Sequence, residues 1–185
     1  MATVPRMNVG LADYTLSDLE ALEEEHPELG RLEVIDGALH ATGETAVGNL
    51  HQLLMQQLHL LFAPSCPPGA IVRLDTWWKS PRGKLRPDLA LYRDGDQPTN
   101  RRGSFKVPPF AIVEILSSDA HHDLVRKDAI YTEFGVTRRA YLDMEADRFG
   151  WWLRLDGVDH TDPEVTWSLD GWPPLLFDRA TLFRG

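Results

Sequence analysis

The spacing of apolar residues predicts helices in three parts of the chain. Ser17 followed by Glu20 is a capping-box pattern that begins a first helix, which Pro27 and Gly30 would end. A second helix is expected over 44–62 and a third over 120–134. In the second helix, apolar side chains recur every three or four residues and mark one buried face: Val47, Leu50, Leu54, Leu58 and Leu61.

Short β-rich runs lie between and after these helices. Asp36-Gly37 is a two-residue turn signal that predicts a hairpin. The turn formers at 80–83 suggest a second hairpin, in which 71–78 pairs with 87–92. The predicted strands are Arg31–Ile35, Ala38–Ala41, Ile71–Trp78, Pro87–Tyr92, Phe110–Leu116, Arg139–Asp143, Gly150–Leu155, Glu164–Ser168 and Pro174–Phe177.

This order of elements indicates an α/β fold with a mixed β-sheet flanked by helices. The strand, helix and strand of 110–143 should form a right-handed parallel crossover. A length of 185 residues suits one domain, which we place at 14–185 behind an N-terminal tail at 1–13.

Composition narrows the class of protein. No stretch approaches the roughly 18 apolar residues of a membrane span, and the start of the chain lacks a secretory pattern. Cys66 is the only cysteine, which excludes an internal disulfide and a CxxC zinc site and fits a reducing cytoplasm. We therefore expect a cytoplasmic protein with no membrane contact.

The net charge of −9 argues against tight, non-specific binding of nucleic acid. The charge is unevenly spread: residues 79–106 hold eight basic and three acidic side chains, whereas 13–44 hold ten acidic and one basic. The basic stretch could steer a polyanion to one face, or it could be an ordinary solvated surface.

One acidic residue stands out in the most apolar run. The run Phe110–Leu116 reads as a central strand buried on both faces, and Glu114 lies inside it. Asp88 lies 26 residues earlier, at the start of another predicted strand. If the two strands are neighbours, both carboxylates can converge on a divalent cation such as Mg²⁺ or Mn²⁺, with the carbonyl of Ile115 as a further oxygen ligand.

Two adjacent carboxylates raise each other's pKa unless a cation offsets them. Lys127 lies on the helix after the Glu114 strand and could return its ammonium to the carboxylates. A metal-activated water with a lysine beside it is suited to phosphodiester hydrolysis.

Four short motifs resemble one known family. They are Leu32-Glu33-Val34-Ile35-Asp36-Gly37, Arg86-Pro87-Asp88, Val113-Glu114-Ile115-Leu116-Ser117, and Asp123-Leu124 with Lys127, Tyr131 and Gly135-Val136. Together, over residues 14–143, they are similar to the "YELIDGE", "PD", "VEVLS" and "DLxxKxxxYxxxGV" segments of the Uma2 family, which lies in the PD-(D/E)xK nuclease superfamily.

The resemblance implies a restriction-endonuclease-like fold and a Mg²⁺- or Mn²⁺-dependent endonuclease that acts on DNA. It implies that Asp88 and Glu114 are metal ligands, with Glu33 joining or supporting them. Lys127 would replace the lysine that the superfamily usually has two residues after the acid, a position held here by Leu116. His51 and Tyr131 match helix positions that could contact the substrate. By analogy with nucleases of this kind, we also expect a homodimer.

The sequence departs from the family pattern after the third helix, where Arg139–Asp143 lacks the usual tryptophan, a change that we assign to packing.

Structural explanations stay open for each candidate residue. Asp88 could be satisfied by backbone amides, Glu114 by an arginine, and Lys127 and Glu33 could face water. His51 could be an ordinary helix-face histidine.

Two other functions stay open as well. One is a catalytically silent module that binds nucleic acid or a partner. The other is a hydrolase, for example of glycosides, that uses Glu33 and Glu114 as acid and base.

Overall fold

The computed structural model describes residues 14–41, 48–96, 98, 104–116, 122–143 and 152–184, with the backbone alone at 48–49 and 122–123. The helices are α1 (Leu16–Glu25), α2 (Gly48–Phe62), α3 (Asp128–Glu133) and α4 (Arg179–Leu182). The strands are β1 (Leu32–Ile35), β2 (Ala38–Ala41), β3 (Ile71–Leu74), β4 (Trp78–Ser80), β5 (Gly83–Leu85), β6 (Leu89–Tyr92), β7 (Ala111–Leu116), β8 (Arg138–Asp143), β9 (Leu153–Leu155), β10 (Val158–His160), β11 (Glu164–Trp167) and β12 (Leu175–Asp178).

A six-stranded sheet in the order β10-β9-β8-β7-β6-β3 forms the centre of the fold. Its strands pair antiparallel except for β7 and β8, which are parallel and are connected through α3. Every residue of β7 is buried, as its apolar run predicted. The predictions of a mixed α/β sheet and of a parallel crossover between these strands are confirmed.

A smaller antiparallel sheet, in the order β2-β1-β5-β4, carries the first hairpin. Asp36 and Gly37 both have positive φ angles, as a two-residue hairpin turn needs, and the predicted pairing of β1 with β2 is confirmed.

The second predicted hairpin was only half right. β3 and β6 do pair, but the chain between them leaves the large sheet after Leu74 and forms β4 and β5, which join the small sheet instead. Asp75 marks the departure with a φ of 50°. Sequence patterns missed this inserted hairpin because two three-residue strands give too little periodicity to detect.

The first helix begins two residues before the predicted start. Thr15, not Ser17, is the N-cap, and its capping box closes with Asp18 rather than Glu20. Thr15 and Ser17 are both residue types that can cap a helix, but only the start at Thr15 includes Leu16, which is buried together with Leu19. Tertiary packing therefore selected the earlier start.

Two apolar layers cover the large sheet. α2 and the β11–β12 hairpin cover one face, where Phe62 meets Trp167, Trp172 and Phe177 edge to face. α3 and part of the small sheet cover the opposite face, which includes Trp78 and Tyr131. The even-numbered positions of β7, including Glu114, point into this second layer, because neighbouring Ile112 and Leu116 do so.

Several predictions need adjustment or lie beyond the described part of the chain. The strand predicted from Gly150 is described only over 153–155, and β10 was not predicted, although Asp156-Gly157 before it repeats the hairpin signal of Asp36-Gly37. The tail at 1–13, positions 44–47 of the second predicted helix and positions 120–121 of the third lie outside the described residues. Within the described residues, no helix is long and apolar enough to cross a membrane.

Candidate active site

Glu114 lies at the middle of β7, where it is 1% exposed. Its register partner on β8 is Tyr141, and hydrophobic side chains surround it on the same face. An isolated carboxylate in such a place would cost several kcal/mol to keep ionised. The charge of Glu114 therefore has to be offset by its neighbours.

Asp88 stands directly before β6 and meets Glu114 through the pairing of β6 with β7. The backbone N–H of Asp88 donates to Oε2 of Glu114 over 3.3 Å, and the N–H of Ile115 donates to Oδ2 of Asp88 over 2.7 Å. Strand register thus brings together the two acids that the sequence separates by 26 residues. Ile115 reaches the pair through its N–H.

Lys127 reaches the same point from the helix that follows β7. Its Nζ lies 2.9 Å from Oε1 of Glu114 and 3.4 Å from Oε2 of Glu33, and the side chain is only 4% exposed. Lys127 ends a π-helical turn at 122–127, directly before α3. Such turns are rare in proteins, and those that occur often lie at functional sites. Removing one partner of a buried ion pair of this kind typically costs about 3–5 kcal/mol.

Glu33 completes the group from the small sheet. It is buried on β1, and its Oε1 accepts a hydrogen bond of 2.5 Å from the backbone N–H of Arg86. Glu33 therefore ties the Arg86-Pro87-Asp88 segment to β1 while its second oxygen faces Lys127. The explanation that Glu33 points at water is excluded by this burial.

Tyr131 lies behind Glu114. Its hydroxyl donates to Oε1 of Glu114 over 2.6 Å, and its ring stacks on Trp78. Burial, and next the negative charge of Glu114, raise the pKa of Tyr131 well above its ordinary value, so the hydroxyl keeps its proton. Because the side chain is fully buried, the structure gives Tyr131 a place behind the carboxylate and not at a surface where a substrate would touch it.

His51 and Arg31 lie on the other side of Asp88. Nε2 of His51 is 3.1 Å, and Nη1 of Arg31 is 2.6 Å, from Oδ1 of Asp88. Burial alone would raise the pKa of Asp88, but the charge of Arg31, the hydrogen bond from His51 and the charge of Lys127 outweigh it and hold the pKa well below its usual range. Asp88 is therefore ionised throughout the physiological pH range.

An ionic network beside Asp88 was not predicted from the sequence. Arg31 also contacts Asp75 Oδ1 over 2.6 Å and donates to the carbonyl of Arg86 over 2.8 Å. Arg86 in turn contacts Asp75 Oδ2 at 2.7 Å and Glu23 at 2.8 Å. Arg86 does belong to a recognised motif, but no local pattern signals a contact between Arg31 and Asp75, which are distant in sequence.

The donor atoms at this centre are of the type that hard divalent cations prefer. Asp88 and Glu114 supply carboxylate oxygens from adjacent strands. With Glu33 included, the three acids exceed the two cations Lys127 and Arg31 by one negative charge, His51 aside. Across the described residues, however, no group of three or more Asp, Glu, His or Cys side chains is arranged as a ready set of metal ligands. The chemistry fits a cation, whereas the present ion pairs occupy several of the oxygens.

The family model described as "Uma2: Putative restriction endonuclease" matches residues 16–177. The chain belongs to the Uma2 family. A solved structure from Anabaena variabilis, described as "a putative nuclease belonging to DUF820", is 16% identical and covers 75% of this chain and 81% of its own, with a TM-score of 0.59. At this identity the likeness shows the fold. No curated protein matches significantly.

Membership of the Uma2 family confirms the resemblance that the four motifs indicated. It makes this protein a member of a family of nuclease type with a restriction-endonuclease-like fold. The motif residues Glu33, Asp88, Glu114 and Lys127, which lie on four separate segments of the chain, meet at one buried point.

Proposed function

We propose that this Uma2 protein is a metal-dependent endonuclease that hydrolyses phosphodiester bonds of DNA. The observation that carries the proposal is the meeting of Asp88, Glu114 and Lys127 inside an apolar layer. Buried charge of this density is costly to maintain, and it is typical of sites that do chemistry.

In this proposal Asp88 and Glu114 would hold a Mg²⁺ or Mn²⁺ ion, with Glu33 and the carbonyl of Ile115 as further oxygen donors. When bound, such an ion lowers the pKa of a water molecule and neutralises charge on a phosphate oxygen.

The chain's other side chains would prepare this site. Lys127 pairs with Glu114 and Glu33 and would present an ammonium to the negative charge that develops on the phosphate. Tyr131 fixes the orientation of the Glu114 carboxylate through its hydroxyl. His51, which is partly exposed beside Asp88, would contact a phosphate of the substrate.

Cleavage of supercoiled plasmid tests the proposal. The protein should nick or linearise plasmid in Mg²⁺ or Mn²⁺ and stop on addition of chelator. Asp88→Asn and Glu114→Gln should each lower the rate at least about 100-fold, which corresponds to about 2.7 kcal/mol of transition-state stabilisation. Asp170→Asn, which changes an exposed acid of the same type, should leave the rate unchanged.

The melting temperature of each variant shows whether it is folded before its rate is interpreted. No cleavage by the native protein with either ion, or equal cleavage by folded Asp88→Asn, would contradict the enzymatic function.

One observation favours a second function, a catalytically silent module that binds nucleic acid or a partner. Within the described residues the carboxylates already have cationic neighbours and form no ready ligand set. Such a module would cleave nothing, yet a bound metal would still raise its melting temperature, because only the native state offers the site.

A glycoside hydrolase is disfavoured. Glu33 and Glu114 are both buried and share the ammonium of Lys127, which fills the space that a glycosidic bond would need.

We further propose that residues 14–185 work as one domain, that the protein acts as a homodimer, and that it works in the cytoplasm. The free thiol of Cys66 supports the last point. The antiparallel edge strands of the sheets support the second, because an edge strand can pair with its copy across a two-fold axis.

A further inference from the structure

The oxygen of Asp88 that a divalent ion would need is held by a side chain outside the family motifs. Arg31 places Nη1 2.6 Å from Oδ1 of Asp88, which is a short, charge-assisted hydrogen bond. The other oxygen, Oδ2, accepts the N–H of Ile115. Nε2 of His51 also lies 3.1 Å from Oδ1, so a cation gains full use of this oxygen only if both neighbours yield it, and Arg31 is the one with a permanent positive charge.

Arg31 has two other acceptors that do not depend on Asp88's side chain. Its Nη2 contacts Oδ1 of Asp75 over 2.6 Å and donates to the backbone carbonyl of Arg86 over 2.8 Å. If Arg31 released Asp88, the guanidinium would keep an ion pair and a hydrogen bond. This retained pairing lowers the free energy that its release would otherwise cost.

Asp75 is itself fixed in position. Its backbone N–H donates to the carbonyl of Asp88 over 3.0 Å, and its Oδ2 meets Arg86, which Glu23 of α1 holds from the far side. Asp75 also has a φ of 50°, an uncommon conformation for a residue other than glycine. The alternative acceptor for Arg31 is thus anchored to the same backbone segment as Asp88.

We propose that Arg31 is a resident cation that competes with the divalent ion for Oδ1 of Asp88, and that Asp75 receives Arg31 when the ion binds. This inference rests on the proposed metal site and adds a determinant of its affinity. The fold carries its own counter-ion, so Asp88 is neutralised before metal arrives. The exchange leaves no buried charge unpaired at either stage.

Titration of Mn²⁺ into the full-length protein, followed by isothermal titration calorimetry, tests the inference without requiring activity. Arg31→Gln should bind Mn²⁺ about tenfold more tightly than the native protein, because it removes a positive charge beside Asp88. A neighbouring arginine changes a carboxylate's affinity for a proton by about one to three powers of ten, which gives the scale of the effect. Asp75→Asn should bind more weakly, because Arg31 then loses its ion pair with Asp75 and is held more strongly by Asp88.

Two control variants separate the effect of the positive charge on Mn²⁺ affinity from the effect of a general loss of structure. Arg31→Lys keeps a cation beside Asp88, and its affinity should stay within about threefold of the native value. Arg82→Gln removes an arginine that pairs with Asp36 and Glu133 away from the site, and it should change nothing. A gain in affinity is not an outcome that partial unfolding can produce.

If folded Arg31→Gln binds Mn²⁺ with the native affinity or more weakly, the inference is overturned while the metal site stands. Tighter binding by Asp75→Asn would overturn it as well, and this result is available even if Arg31→Gln does not fold. Absence of Mn²⁺ binding by the native protein together with Arg31→Gln would overturn both the inference and the metal-dependent function.

Discussion

At the scale of single residues, the buried carboxylates of the site are paired. Glu114, for example, contacts Lys127, Tyr131 and the backbone N–H of Asp88. Tyr92 is different. Its ring stacks on Phe105, but its buried hydroxyl has no hydrogen-bond partner in the described part of the chain. An unsatisfied buried hydroxyl lowers stability.

Tyr92→Phe should therefore leave stability at pH 7 unchanged or raise it by up to about 1 kcal/mol. Burial, and next the charge of Asp96, raise the pKa of Tyr92 in the folded protein. In the unfolded chain the hydroxyl of this tyrosine ionises near pH 10, so the native protein should lose stability as the pH rises above about 10. The variant should lose less.

Urea unfolding at pH 7 and pH 10.5 measures both effects. Tyr14→Phe is a matched control, because it removes the same hydroxyl from a tyrosine that is only partly buried. A clear loss of stability at pH 7 in Tyr92→Phe would contradict the account given for this residue.

At the scale of elements, an inserted hairpin assembles the site. β4 and β5 carry the chain out of the large sheet and across to β1, and the return path delivers Arg86-Pro87-Asp88 to the start of β6. Gly83 opens β5 opposite Ile35 with a φ of 151°. A Cβ atom there would lie 1.9 Å from the carbonyl oxygen of Val34. Only glycine permits this approach of β5 to β1.

Gly83→Ala should therefore destabilise the protein by about 3 kcal/mol or more, because the β1 backbone has to shift. Gly157→Ala is the control, since Gly157 also has a positive φ but nothing lies within 4 Å of where its Cβ would be. The control should cost only about 1 kcal/mol, from backbone strain alone. Equal free energies of unfolding for the two variants in urea would show that the close approach has no energetic weight.

The outcome of prediction at this scale depended on the length of the elements. The long apolar stripe of α2 was readable because many residues carry the same period, and β7 was readable because it is apolar at every position except Glu114. The three-residue strands β4, β5 and β10 were not. The start of α1 was ambiguous by two residues until packing of Leu16 decided it.

At the scale of the whole molecule, the acidic and basic stretches of the chain partly neutralise each other. Arg86 of the basic stretch pairs with Glu23, and Arg82 pairs with Asp36, both from the acidic stretch. The hypothesis of a basic face that steers a polyanion is weakened by these pairs, because two of its arginines are already engaged. Arg101 and Arg102 lie outside the described residues.

The proposed homodimer is also a property of the whole molecule. Sedimentation velocity at micromolar concentration should give a species of twice the chain mass of 20.9 kDa. Monomer alone across a concentration series would refute the dimer and leave the site unaffected.

The sequence by itself determined the family, the identity of the central strand and the presence of a carboxylate inside it. These follow from local pattern, because a run of apolar residues and the order of motifs are properties of neighbours in the chain. The three motif acids and the lysine could likewise be named before any fold was known.

Only the tertiary structure decided how those groups are neutralised. Strand register set Asp88 against Glu114, the π-helical turn delivered Lys127, and the inserted hairpin brought Asp75 and Arg86 to Arg31. Electrostatic partners of a buried charge are fixed by distances in space, and residues on separate elements, such as Arg31 and Asp75, leave no periodic trace of such a contact in the sequence.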